Sequence, residues 1–102
     1  MKNVLVIVST VLLTIASAAA DDAFTRASSK CRDEDHKEAC QTGIAFIASY
    51  LQPLGTQEAV RVSHIMCVST FDNRNLDVKI AKRAACHYGV GLYLASLNQS
   101  PL

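Results

Sequence analysis

Two of the three histidines stand beside cysteines at helical spacing. His64 lies three residues before Cys67, and His87 directly follows Cys86. Two cysteines and two histidines are a common ligand set for structural zinc. A zinc site would use two of the four cysteines, whereas an even number of cysteines in a short chain favours a disulfide framework. We therefore interpret both histidines as half-buried core residues and expect no metal or other cofactor.

The third histidine lies in an acidic cluster. His36 is close in sequence to Asp33 and Asp35, a combination that suits a metal site or an Asp–His pair. The simpler interpretation is the charged start of a helix, where carboxylates interact favourably with the helix dipole. The sequence also has no serine nucleophile motif, no glycine-rich phosphate loop and no paired catalytic carboxylates. We therefore predict that the protein is not an enzyme.

The first twenty residues are typical of a secretory signal. Lys2 is the only charged residue before Asp21, residues 4–15 are mostly apolar, and residues 16–20 are all small. A basic start, a short apolar run and a final run of small residues, in this order, predict cleavage before Asp21. A second candidate cleavage site lies two residues earlier. The apolar run is shorter than the roughly 20 residues of a spanning helix. We expect a secreted, extracellular protein with no membrane span after cleavage.

The charge of the predicted mature chain argues against two classes of function. The chain has 10 basic and 9 acidic residues, and removing Lys2 leaves nine of each. A neutral protein lacks the basic footprint of a nucleic-acid-binding protein and the net positive charge of a membrane-active helix. The charge is divided unevenly, with a net −3 in residues 21–60 and +3 in residues 61–102. We expect the two halves to pack together.

The hydrophobic pattern predicts an all-α fold, a small disulfide-stabilised three-helix bundle with up-down-up order, in one domain of residues 21–102. Residues 21–35 have no apolar face, and we expect a polar N-terminal arm there. The three helices are expected at residues 36–52, 57–71 and 76–97. Asp35, Thr56 and Asn75 are the expected N-caps. Pro53 is expected to end the first helix, and Gly89 and Gly91 mark a kink or a close approach of another helix in the third.

The helical period assigns one apolar stripe to each helix. Spacings of three and four residues place four members of each stripe on one face. The stripes are Cys40, Ile44, Ile47 and Leu51 in the first helix, Val60, His64, Cys67 and Phe71 in the second, and Leu76, Ile80, Ala84 and His87 in the third.

The bundle geometry favours one pairing of the cysteines. In an antiparallel helix pair, Cys40 and Cys67 lie at nearly the same distance from the turn that joins the two helices. Cys31 and Cys40 would be about 13 Å apart if both were helical, which is too far for a disulfide. We predict the bridges Cys40–Cys67 and Cys31–Cys86, of which the second requires the N-terminal arm to fold back along the bundle.

With no catalytic chemistry, the sequence favours an extracellular ligand or effector of the toxin, hormone or pheromone type that binds a protein partner or receptor. A monomer is favoured over a dimer. The expected binding surface is the basic part of the third helix and the turn before it, formed by Arg74, Lys79, Lys82 and Arg83. The alternative is a carrier of a small hydrophobic ligand. Its cavity would be lined by Phe46, Tyr50, Met66, Phe71 and Leu92.

Overall fold

The computed structural model describes residues 22–98, all of whose regular elements are helical. The predicted signal peptide and its cleavage site lie outside this range, as do residues 99–102. Residues 22–30 form α1, and a single 3-10 turn follows at Cys31–Asp33. The three longer helices are α2 (Lys37–Leu54), α3 (Thr56–Thr70) and α4 (Leu76–Asn98). The predicted all-α, disulfide-stabilised bundle is therefore confirmed, and the up-down-up order stays a prediction.

The predicted polar arm is wrong, because residues 22–30 form a helix that packs on the bundle. Ala23, Ala27 and Cys31 follow one another at four-residue spacing, and all three are buried. Arg26 holds the helix in place by donating from its guanidinium to the backbone carbonyl of Ser96 at 2.8 Å. The buried face of α1 is made of small side chains, which the hydrophobic pattern of the sequence does not reveal.

The helix boundaries depend on two local features. Gly55 has φ +80°, and its amide donates to the carbonyl of Leu51, so α2 ends there. Pro53 lies in the last turn of α2 and does not end it, because its missing N–H removes only one bond there. The predicted N-cap at Asn75 is confirmed by its side-chain oxygen, which accepts from the amide of Val78 at 3.1 Å.

The other two predicted N-caps are wrong. Asp35 lies one residue outside the observed N-cap of α2, which is His36. Thr56 is the first residue of α3, and Gly55 is the N-cap. Neither N-cap makes a side-chain hydrogen bond. Neither helix start is therefore stabilised by a capping side chain.

The centre of the molecule is a close crossing of α2 and α4. A Cβ on Gly43 would lie 1.9 Å from the carbonyl oxygen of Cys86, and a Cβ on Gly89 would lie 1.9 Å from that of Cys40. Only glycine at both positions lets the two backbones approach so closely. Of the two alternatives predicted for Gly89 and Gly91, a kink or a close approach, Gly89 is a close approach, whereas Gly91 has no neighbour within 4 Å of an added Cβ.

The buried face of α2 agrees with the sequence, and that of α3 does not. Cys40, Ile44 and Ile47 are fully buried, as the stripe of the first helix predicts. In α3 the buried residues are Ala59, Ser63 and Cys67. The buried face of α3 therefore contains Ala59 and Ser63, each one residue before the predicted Val60 and His64. Small side chains face the core. In α4, three of the four predicted stripe residues are exposed, namely Leu76, Ile80 and Ala84.

Both predicted disulfides are wrong: the bridges are Cys31–Cys40 and Cys67–Cys86, with Cα–Cα distances of 5.8 and 5.7 Å. The separation of about 13 Å expected for Cys31 and Cys40 applies only if one continuous helix joins them. The chain instead leaves helical geometry after the 3-10 turn, with Glu34 extended at φ −85° and ψ 142°, and doubles back toward Cys40. Cys67 lies on the side of α3 that faces α4, so it bonds to Cys86 rather than to Cys40.

No helix between residues 22 and 98 is both long enough and apolar enough to cross a bilayer.

Candidate functional site

The seam between α3 and α4 is held by three kinds of contact along its length. Arg83 donates through Nε to the carbonyl oxygen of Phe71 at 3.0 Å, which satisfies a backbone acceptor at the end of α3. Lys79 forms an ion pair with Asp72 at 3.3 Å, and the buried Cys67–Cys86 disulfide lies farther along the seam. Residue numbers fall on α3 as they rise on α4, so the two helices are antiparallel here.

The two histidines beside this disulfide are in direct contact. The ring centroids of His64 and His87 are 4.5 Å apart, and the ring planes are nearly perpendicular at 82°. His64 is exposed and His87 is half-buried. The Nδ1 atom of His87 is buried and has no hydrogen-bond partner among the described residues. Desolvation lowers the pKa of His87, and the nearby His64 and Arg83 lower it further, so the imidazole is held neutral near pH 7.

The quartet of His64, Cys67, Cys86 and His87 is brought together, but not as a zinc site. Both cysteines are in the disulfide, so the thiolates that zinc requires are absent. Within residues 22–98, no group of three or more histidine, cysteine or acidic residues is arranged to hold a metal ion. The interpretation of both histidines as half-buried holds for His87 and is wrong for His64, which is exposed.

The histidine pair forms part of an open, mostly apolar groove on the outer side of the seam. The groove has a volume of about 450 Å³ and is lined by His64, Ile65, Val68, Ser69 and His87. Ile65 and Val68 are 50% and 43% exposed, values that are high for large aliphatic side chains.

The exposed stripe of α4 continues this apolar surface. Leu76 and Ile80 are 62% and 56% exposed, and with His87 they follow one another at spacings of four and seven residues, on one side of the helix. His87 therefore joins the stripe of α4 to the groove. We call the surface formed by Ile65, Val68, Leu76 and Ile80 the outer face. The hydrophobic pattern did not predict this surface, because it indicates which residues share a helix face and not whether that face is buried.

The predicted basic binding surface is only partly available. Lys79 pairs with Asp72, and Arg83 caps the end of α3, so both residues stabilise the fold. Arg74 is exposed in the turn before α4, and Lys82 is half-buried on the α2 side of that helix. The structure therefore does not place the four basic residues on one free surface.

Lys82 lies instead at a small depression near the start of α2. The depression has a volume of about 230 Å³, and Asp35, His36 and Phe71 also line it. His36 is the N-cap of α2, in agreement with its interpretation as part of a charged helix start.

The residues predicted to line a carrier cavity do not surround one common space. Leu92 is buried in the core, while Phe46, Tyr50 and Phe71 are partly buried and pack against that core. Met66 is half-buried on α3. Phe71 also lines the depression at the start of α2. These side chains fill the bundle, and the larger open volume is the groove on the outer face.

Comparison with known proteins adds no relative: no protein-family model matches the chain, and no curated protein or solved structure is detectably similar to it.

Proposed function

We propose that this protein is secreted and acts as an extracellular ligand that binds a protein partner through its outer face. The observation that carries the proposal is the exposure of Ile65, Val68, Leu76 and Ile80 on one side of a small, disulfide-linked bundle. Large aliphatic side chains clustered on a surface are typical of interaction sites.

Two independent features support the proposal that the protein is secreted. The basic, apolar and small-residue segments of residues 1–20 are arranged as in secretory signals. All four cysteines of the chain are in disulfides, which persist in oxidising surroundings outside the cytosol. Secretion would bring the outer face into contact with extracellular proteins.

Charge favours an acidic partner. Residues 56–98, which form α3, α4 and the turn between them, carry five basic and three acidic residues, a net charge of +2, and Arg61 pairs with Glu58 while Lys79 pairs with Asp72. Complementary charge increases the association rate and suppresses incorrect partners. The partner we infer is therefore a protein segment with apolar side chains flanked by acidic ones. The rigid seam lowers the conformational entropy lost on binding, because its disulfide and side-chain contacts are already formed.

The first experiment measures saturable binding of the labelled mature protein to the surface of cells from the producing organism, with displacement by unlabelled protein. The test variant is Val68→Asp. Leu54→Asp is the matched control, because Leu54 has the same 43% exposure as Val68 but lies at the end of α2. We expect Val68→Asp to weaken binding by about tenfold or more, as loss of a central interface contact does, and Leu54→Asp to change it by less than about twofold.

Equal effects of the two variants, or no saturable binding at all, would contradict the proposal. Two further results would favour other functions. Self-association that Val68→Asp abolishes would make the outer face a dimer interface. Thermal stabilisation by small apolar molecules, lost in the same variant, would favour the carrier function.

A further inference from the structure

The contact between His64 and His87 points to a second property of this seam, independent of any protein partner. We propose that the two imidazoles form a binding site for one first-row divalent transition-metal ion, with Cu²⁺ bound most tightly. The ion would have two protein ligands, and its remaining positions would be open to water at the groove.

The spacing of the rings suits this assignment. Metal–nitrogen bonds of about 2 Å place two imidazoles bound side by side on one ion at a centroid distance close to the observed 4.5 Å. The ring planes are 82° apart. His64 is exposed, and the torsion that turns its ring has a broad energy minimum. A rotation of that ring therefore brings its lone pair toward the position between the two residues without a backbone movement.

The chemical state of His87 also suits a ligand. Metal ions bind the neutral imidazole, and burial lowers the pKa of His87, which favours that form. Its buried Nδ1 has no hydrogen-bond partner among the described residues. Because Nδ1 is buried, an ion that is open to water at the groove would be bound by Nε2 of His87.

The backbone around the pair is fixed in advance. Cys67 lies about one helical turn after His64, and Cys86 directly precedes His87, so the disulfide joins the two helices at the level of the rings. The sulfur atoms are bonded to each other and buried, and they supply no ligand. Imidazole nitrogens suit copper, nickel and zinc, and Cu²⁺ binds most strongly in the general order of affinities.

The test is a calorimetric titration of the metal-free, disulfide-intact mature protein with Cu²⁺ near pH 7, with glycine as a competing ligand. His64→Gln is the test variant, and its exposed position allows the fold to be retained. His36→Gln is the matched control, because it removes a histidine at the start of α2 and leaves the seam unchanged. All three proteins share the same N-terminal amine, so its own copper binding cancels in the comparison.

We expect one equivalent of Cu²⁺ to bind to the wild-type protein, with two imidazole nitrogens in the electron paramagnetic resonance spectrum. Loss of an outer-shell partner alone weakens metal sites by about 10–100-fold, so His64→Gln should weaken binding at least tenfold. His36→Gln should bind like the wild type. Unchanged affinity in His64→Gln, or an equal loss in His36→Gln, would overturn the assignment and leave the two rings as a packing contact.

Discussion

At the scale of single residues, His87 is the side chain whose charge state depends most directly on the fold. It is half-buried against the ring of His64, and desolvation is the largest cause of its lowered pKa, followed by the charges of His64 and Arg83. The unfolded chain frees the imidazole from this environment, and its pKa returns to about 6.5. Between the two pKa values, the unfolded state therefore binds more protons than the folded state.

This difference predicts a loss of stability in acid. The free energy of unfolding should be highest above the unfolded pKa and should fall as the pH drops through about 6.5 toward the lower, folded pKa. Urea unfolding of the mature protein between about pH 7.5 and 5, with EDTA present, measures the slope. His87→Gln should reduce the slope, and His36→Gln should retain it. Parallel curves for the wild type and His87→Gln would contradict this cause.

The contact between the histidines could be predicted from the sequence only in part. The sequence places His64 and His87 beside cysteines, and any bridge between Cys67 and Cys86 brings the two rings together. The spacing alone allows several pairings, however, and Cys31 and Cys40 meet because the chain between them is not a continuous helix and Glu34 is extended. The short non-helical segment of residues 34–36 therefore decided which side chains meet.

At the scale of helices, the crossing of α2 and α4 depends on two glycines. Each faces a carbonyl oxygen of the opposite helix, and an added Cβ would lie 1.9 Å from it. The atoms that such a Cβ would meet belong to the backbone, so neither helix can relieve the contact by turning a side chain. The helices would have to move apart and lose packing along the crossing.

This geometry predicts opposite effects for two similar substitutions in α4. Gly89→Ala should lower the free energy of unfolding by about 1–3 kcal/mol or more, the range for an overpacked core. Gly91→Ala should leave it unchanged or raise it by up to about 1 kcal/mol, because alanine favours the helix and the added Cβ meets no neighbour within 4 Å. Chemical unfolding followed by circular dichroism measures both. A destabilised Gly91→Ala with a stable Gly89→Ala would show that the crossing is elsewhere.

The start of α4 provides a second test of local structure. The side chain of Asn75 accepts from the amide of Val78, and loss of such an N-cap costs about 1 kcal/mol. Asn75→Ala should therefore lower the free energy of unfolding by about that amount. Thr56→Ala at the start of α3 is the matched control and should have almost no effect, since no side-chain cap is present there. Equal losses in both variants would contradict this difference between the helix starts.

The sequence predicted where the three long helices lie better than which faces they bury. Helix positions follow from the 3.6-residue period, from turns and from Asn75, all of which are local. The buried faces of α1 and α3 consist mainly of small side chains, including Ala23, Ala27, Ala59 and Ser63. Small residues carry little hydrophobic signal, and their burial depends on how closely another backbone approaches.

At the scale of the whole molecule, the close-packed core explains the outer face. Helices that meet through glycine, alanine, serine and cysteine leave less room for large aliphatic side chains in their interior. Ile65, Val68, Leu76 and Ile80 are correspondingly exposed on the side of α3 and α4 away from the core. The proposed binding surface and the histidine pair therefore depend on the helix arrangement that the two disulfides link.

The disulfide map tests this arrangement most directly. Cleavage by trypsin after lysine and arginine places the four cysteines on four separate peptides, residues 31–32, 38–61, 62–74 and 84–102. Mass spectrometry of the unreduced digest should find 31–32 joined to 38–61, and 62–74 joined to 84–102. A peptide 38–61 joined to 62–74 would mean that Cys40 bonds to Cys67. The α3–α4 seam, its histidine pair and the outer face as described would then be contradicted.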